Sequence, residues 1–151
     1  KSKELKSFIE ELPALQKKYS RNLVLFGNRE CTLIPEEIYN AEANEEFIHS
    51  LFDDNFSGEY FSMFLPVLGS HLVYKAPAWM IKVFEEKFPG TIFYHSTGFL
   101  LNAANRLSYK LDKLLVHAHF KNGFFELIFI EKGKLLFYNS FEYQTSEEIA
   151  Y

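Results

Sequence analysis

The chain is 151 residues long, 48% hydrophobic and 18% aromatic, with 17 Phe and 9 Tyr and a formal net charge of −4. That length suits one domain or one and a half, and that much aromatic surface excludes a disordered chain because it can be buried. Neither membrane insertion nor nucleic-acid binding is expected. No apolar run approaches the roughly 20 residues of a span, and no dense Lys/Arg patch exists to displace phosphate counterions.

Leu5, Phe8, Ile9, Leu12, Leu15 and Tyr19 recur at helical spacing, which predicts an amphipathic helix over 3–19. Pro13 lacks an amide hydrogen and crowds the preceding turn, so the helix should kink or end near Leu12. Short apolar strands follow over Asn22 to Phe26 and Glu30 to Ile34, separated by Gly27-Asn28. Pro35 with Glu36 and Glu37 behind it reads as the first turn of a helix. Residues 43–52 form a helix candidate with Phe47, Leu51 and Phe52 on one side, broken by Asp53-Asp54-Asn55. Strands are expected over Glu59 to Leu65 and His71 to Ala76. Pro77 opens a helix to Phe88 that should turn Trp79, Met80, Val83, Phe84 and Phe88 inward, until Pro89-Gly90 stops it. Thr91 to His95 is a strand, and Thr97 to Tyr109 a helix carrying Phe99, Leu100, Ala103, Ala104 and Leu107.

The last third holds the clearest local signal. Leu114 to Tyr143 reads as three strands joined by tight hairpins at Asn122-Gly123 and Lys132-Gly133, and Asn-Gly between alternating apolar runs predicts a turn with two positive φ angles. Two-residue loops put Lys121 opposite Phe124, His119 opposite Glu126, Ile130 opposite Leu135 and Glu126 opposite Asn139. One face then carries Val116, Ala118, Phe120, Phe125, Leu127, Phe129, Leu136 and Tyr138. The other carries Ile128, Ile130, Leu135 and Phe137, with His117, His119, Lys121, Glu126 and Asn139 towards the first hairpin. Both faces are apolar in the middle, so both are expected to be covered. Thr145-Ser146-Glu147-Glu148 is a helix-start signature. Strands alternating with helices, then a meander, predict an α/β protein whose sheet is mixed, with helices on both faces.

Charge is spread unevenly. From Glu30 to Tyr74 there are nine acids and no Lys or Arg, while the other 106 residues carry all 16 basic residues and 11 acids, about +5. The organisation expected is a first half over 1–112 with an acidic insertion at about 29–75, and the start of a second half over 113–151. The lone Cys31 excludes an internal disulfide and fits a reducing cytoplasm. Residue 1 is Lys, no leader-like segment opens the chain, and the closing helix start is barely used, so a longer protein is expected.

Three segments resemble a bacterial family filed as domain of unknown function 3822: CTLIPEEIYN at 31–40, LVYKAPAWMIKVFEEKFPGTIFYHST at 72–97, and LLVHAHFKNGFFELIFIEKGKLLFYNSFEYQT at 114–145. The resemblance spans nearly the whole chain. It implies a layout similar to the actin-like ATPase (ribonuclease H-like) fold, a fragment of a larger two-half domain, with no established activity. In that fold each half opens with a meander whose first hairpin holds phosphate, using an acid and then glycines that let backbone N–H groups approach. Here His119 takes the acid's place, only Gly123 remains of the glycines, and Phe124 stands where a Ser or Thr is expected. The resemblance therefore implies that this half does not hydrolyse ATP in the usual way.

No catalytic or cofactor-binding residue is assigned and no cofactor is expected. His117, His119, Lys121, Glu126 and Asn139 form the candidate polar cluster, whose two imidazoles and carboxylate could hold Zn or Fe(II), and whose plainer reading is a hydrogen-bonded patch where a helix end or loop covers the sheet. His71 and His95 read as structural histidines, His49 as exposed, and Cys31 as a small buried apolar residue. Walker, dinucleotide and Gly-x-Ser-x-Gly motifs are missing. The function expected is a non-catalytic actin-like-fold protein whose partner is another protein or a second copy, with nucleotide disfavoured. The alternatives are an ATPase using a phosphate hairpin N-terminal to this chain, or a metal-dependent hydrolase.

Overall fold

The computed structural model describes residues 1–145 and Glu148. The helix start expected near 145–148 falls largely outside the described residues. Helix α1 spans Ser2–Glu11, and Leu12 is extended before a 3-10 turn at Pro13–Gln16, so Pro13 ends the helix where its missing N–H predicts. Strand β1 (Leu23–Phe26) pairs in parallel with β5 (Ile92–His95). Strands β2 (Cys31–Pro35), β4 (Ser70–Pro77) and β3 (Gly58–Leu65) form an antiparallel sheet in that order, with short helix α2 (Asn44–His49) against it. This sheet and α2 make up the acidic module. The helix expected after Pro35 is a single 3-10 turn at Glu36–Ile38.

Helix α3 (Ala78–Lys87) buries Ile81 and Val83, whereas Trp79, expected inward, lies at the surface. Helix α4 (Ser96–Leu111) buries Thr97, Gly98, Leu101, Ala104, Asn105 and Ser108, so its inner face is rotated from the expected one and Phe99 and Leu107 face water. The reason is the neighbour that α4 serves. Asn105 Nδ2 donates to the Gly133 carbonyl at 2.6 Å, and the Gly133 amide donates to Ser108 Oγ at 2.8 Å. A polar side of the helix is turned inward to grip a hairpin, and buried polar groups that find partners in this way are tolerated.

The meander is where it was expected: β6 (Leu114–Lys121), β7 (Phe124–Glu131) and β8 (Lys134–Glu142) pair antiparallel in that order. Its turns differ from each other. Lys132 and Gly133 have φ of 48° and 79°, the signs of a type I′ turn, while at the first hairpin only Gly123 is positive, at 83°. The Asn-Gly corner therefore lacks the paired positive φ it was expected to have. The inner face packs on α4 through Ile128 and Ile130, which join Leu65, Leu72, Tyr74, Ile81 and Leu101 in one core. Among the described residues no helix covers the outer face, where Val116, Phe120, Phe137 and Phe141 are exposed.

Gly133→Ala tests the grip on the second hairpin. An added Cβ would sit 1.9 Å from a Tyr109 ring carbon at a positive φ. Tyr109 is exposed and its ring can swing away, so the lasting cost is the left-handed backbone, about 1–2 kcal/mol. Urea unfolding should show that loss, with Gly133→Asn losing less; an unchanged midpoint for the alanine variant would contradict the turn geometry.

Candidate functional site

The register of the meander places the candidate cluster. His119 lies opposite Glu126 and Lys121 opposite Phe124, as the two-residue loop requires. Glu126 points inward and is 0% exposed. A buried carboxylate must be paired or fully hydrogen-bonded, and this one is both. Thr97 Oγ1 and the Tyr138 hydroxyl donate to Oε1, the latter at 3.1 Å. Lys121 Nζ reaches Oε2 at 2.7 Å and His119 Nδ1 reaches it at 3.1 Å. His119 Nδ1 therefore carries a proton.

Further groups close around this hub. The Lys121 ammonium lies 3.5 Å from Ser96 Oγ and 5.0 Å from the centre of the Phe124 ring. Because Tyr138 gives its proton to the carboxylate, the Cys31 thiol is the donor in its 3.2 Å contact with the Tyr138 oxygen. His95 is held in one tautomer: Nδ1 accepts from the Thr97 amide at 3.4 Å, and Nε2 donates to the Asn28 carbonyl at 3.0 Å. His95 is thus the satisfied structural histidine expected of it. His71 is less so, since its buried Nδ1 has no partner among the described residues and its ring stacks on Tyr39 at 3.6 Å.

The site's ionisation follows from this packing. Desolvation pushes the Glu126 carboxyl up, but the bonds from Lys121 and Thr97 outweigh it and the net shift is down. Burial drives the Cys31 thiol up to about 12 and His95 down to about 4, the Lys121 charge adding to the latter. At neutral pH the thiol is protonated, the imidazole of His95 is neutral, and the one carboxylate is closed by four donors. Cys31 is therefore no nucleophile and His95 no general acid, because each is held in its unreactive form. His119, half exposed, is the group of the hub most open to solvent.

Of the five residues expected to cluster, the structure brings three together: His119, Lys121 and Glu126. His117 lies opposite Ile128, its ring 6.4 Å from that of His119, and makes no bond to Glu126. Asn139 is displaced. A bulge between Phe129 and Ile130 inserts Leu136 as an unpaired residue of β8, so Glu126 faces Ser140, and Asn139 faces Leu127 on the other side of the sheet. The same one-residue slip turns Tyr138 inward to the carboxylate. No group of three or more His, Cys, Asp or Glu placed to share a metal occurs among the described residues. The residues not foreseen, Thr97, Ser96, Cys31 and Tyr138, come from α4, β2 and the far side of the bulge. Only Ser96-Thr97 had a sequence signal, a hydroxyl pair at a helix start.

The hairpin corner is braced from outside the pair. The Tyr143 hydroxyl donates to the Lys121 carbonyl at 2.6 Å, and its amide to the Gly123 carbonyl at 3.1 Å. Phe124 is buried at the corner.

A crystal structure of a Bacteroides thetaiotaomicron protein with an actin-like ATPase fold and unknown function superposes with a TM-score of 0.91 at 20% sequence identity. The match covers 98% of this chain and 58% of that one, and it establishes the fold as actin-like. No curated protein matches the sequence. The sequence pattern of the proteins of unknown function designated DUF3822 matches residues 1–151, and the chain belongs to that family.

Proposed function

We propose that this chain is part of an actin-like-fold protein that acts through protein contacts and does not hydrolyse ATP. One observation carries the reading: the acidic group of the meander's first hairpin is already consumed. Glu126 is fully buried and neutralised by Lys121, with Thr97, Tyr138 and His119 filling its remaining acceptor positions. A metal-bound triphosphate needs an open carboxylate and free backbone amides. The corner offers instead His119 turned onto Glu126, a single glycine, and Phe124 where a small hydroxyl residue would be needed.

The test is nucleotide binding and phosphate release by the full-length protein with Mg²⁺ and ATP. Neither saturable binding nor turnover above the blank is expected. Steady turnover that disappears when the Lys121–Gly123 hairpin is replaced would overturn the proposal. Turnover indifferent to that hairpin would overturn it in favour of an ATPase whose phosphate hairpin lies outside these residues.

A further inference from the structure

Among the described residues, two surfaces of opposite charge have no partners, and they face away from each other. The first is the outer side of α4. Phe99 and Leu107 are 44% and 43% exposed there, and with Asn102, Ala103, Arg106 and Lys110 they line a shallow groove of about 670 Å³. Residues at this spacing share one helix face. The helix contains no acid, and neither Arg106 nor Lys110 forms a salt bridge among the described residues.

The second is the tip of the acidic module. Ile38 is 67% exposed and Val67 51%, beside the Tyr39, His71 and Phe64 stack. The Glu36 amide donates to the Gly69 carbonyl at 2.9 Å, which ties the two turns of the tip together. Glu36 and Glu37 rim this patch, both exposed and neither in a salt bridge among the described residues. Within one molecule the surfaces cannot meet. Leu65 packs under Gly98 on the inner side of α4, and its neighbour Phe64 points to the opposite face of β3. The groove lies on the side of α4 away from that contact.

We infer that the α4 groove of one molecule receives the module tip of a second copy, apolar centre against apolar centre, with Arg106 and Lys110 against Glu36 and Glu37. A depleted-charge centre with a charged rim is how transient protein interfaces are built, and complementary rims select the register. The two surfaces differ, so the contact is heterologous and each molecule keeps a free groove and a free tip. Association of this kind continues into rings or open chains instead of stopping at a two-fold dimer. It rests on the protein-contact role proposed above, and it can fail alone: a strictly monomeric protein that neither binds nor hydrolyses ATP overturns the self-contact and leaves that role standing.

Sedimentation velocity of the full-length protein, as a concentration series at low and high salt, tests it. The expected result is a mean mass that rises past the dimer with concentration and falls with added salt. Arg106→Glu with Lys110→Glu should weaken association about tenfold or more, through two lost and two repulsive pairs. All four positions are exposed, and adding Glu36→Lys and Glu37→Lys in the same chain should restore association by exchanging the charges. A monomer at every concentration, a closed dimer, or association indifferent to the first pair of changes would overturn the inference. So would failure of the four-fold exchange to restore it.

Discussion

Glu126→Ala is expected to cost about 3–5 kcal/mol of stability at neutral pH, because removing one partner of a buried ion pair strands the other. Lys121 would keep its charge in a mostly buried position, and the hydroxyls of Thr97 and Tyr138 would lose their acceptor. Urea unfolding with an unchanged m-value measures the loss. A change under about 1 kcal/mol would mean the hub is not held by its carboxylate. The pH dependence has a definite sign. The folded carboxyl titrates below its unfolded value, since the Lys121 and Thr97 bonds exceed the desolvation that opposes them. Its contribution is therefore fully present above the unfolded pKa, roughly 4.3, and is lost as pH falls through the lower folded value. Wild type should lose stability over that acid range by an amount that Glu126→Gln does not. Parallel curves for the two proteins would refute the shift.

Tyr74→Ala should cost a similar amount, about 3–5 kcal/mol, in the range for deleting a large buried aromatic ring. Tyr74 is fully buried on β4, stacks on Phe61 at 5.6 Å, and meets His95 at 5.3 Å. Its hydroxyl donates to the Phe93 carbonyl of β5 at 3.0 Å. One side chain therefore joins the acidic module to the parallel strand pair and reaches the histidine behind the Glu126 hub. Tyr74→Phe keeps the ring and gives up one neutral hydrogen bond, about 1 kcal/mol. Equal losses for the two variants would show that the bond, not the packing, carries the junction.

The hub and the junction differ in how far they could be read in advance. The pairing of His119 with Glu126 was legible because a two-residue hairpin sets register locally, and register decides which side chains share a face. Strict alternation puts the fourth donor, Tyr138, on the outer face and Asn139 beside Glu126, the reverse of what the structure holds, because the Phe129/Ile130 bulge leaves no mark in the sequence from Leu135 to Asn139. The inner side of α4 departs from the periodic expectation for a related reason. Hydrophobic periodicity finds the greasiest stripe, whereas α4 turns Asn105 and Ser108 inward to bind the Gly133 hairpin and leaves Phe99 and Leu107 outside.

Amino-acid order alone determined the elements that close on themselves: the end of α1 at Pro13, the two hairpins, the acidic segment between Glu30 and Tyr74, and hence the α/β class. Turn residues, missing amides and charge runs act over a few positions, so they are written where they operate. Tertiary structure decided the company Glu126 keeps. Cys31 and Tyr138 touch across 107 positions and Thr97 meets Glu126 across 29. Such contacts follow from how helices and sheets stack around a common core, where burial makes every polar group find a partner wherever in the chain it lies.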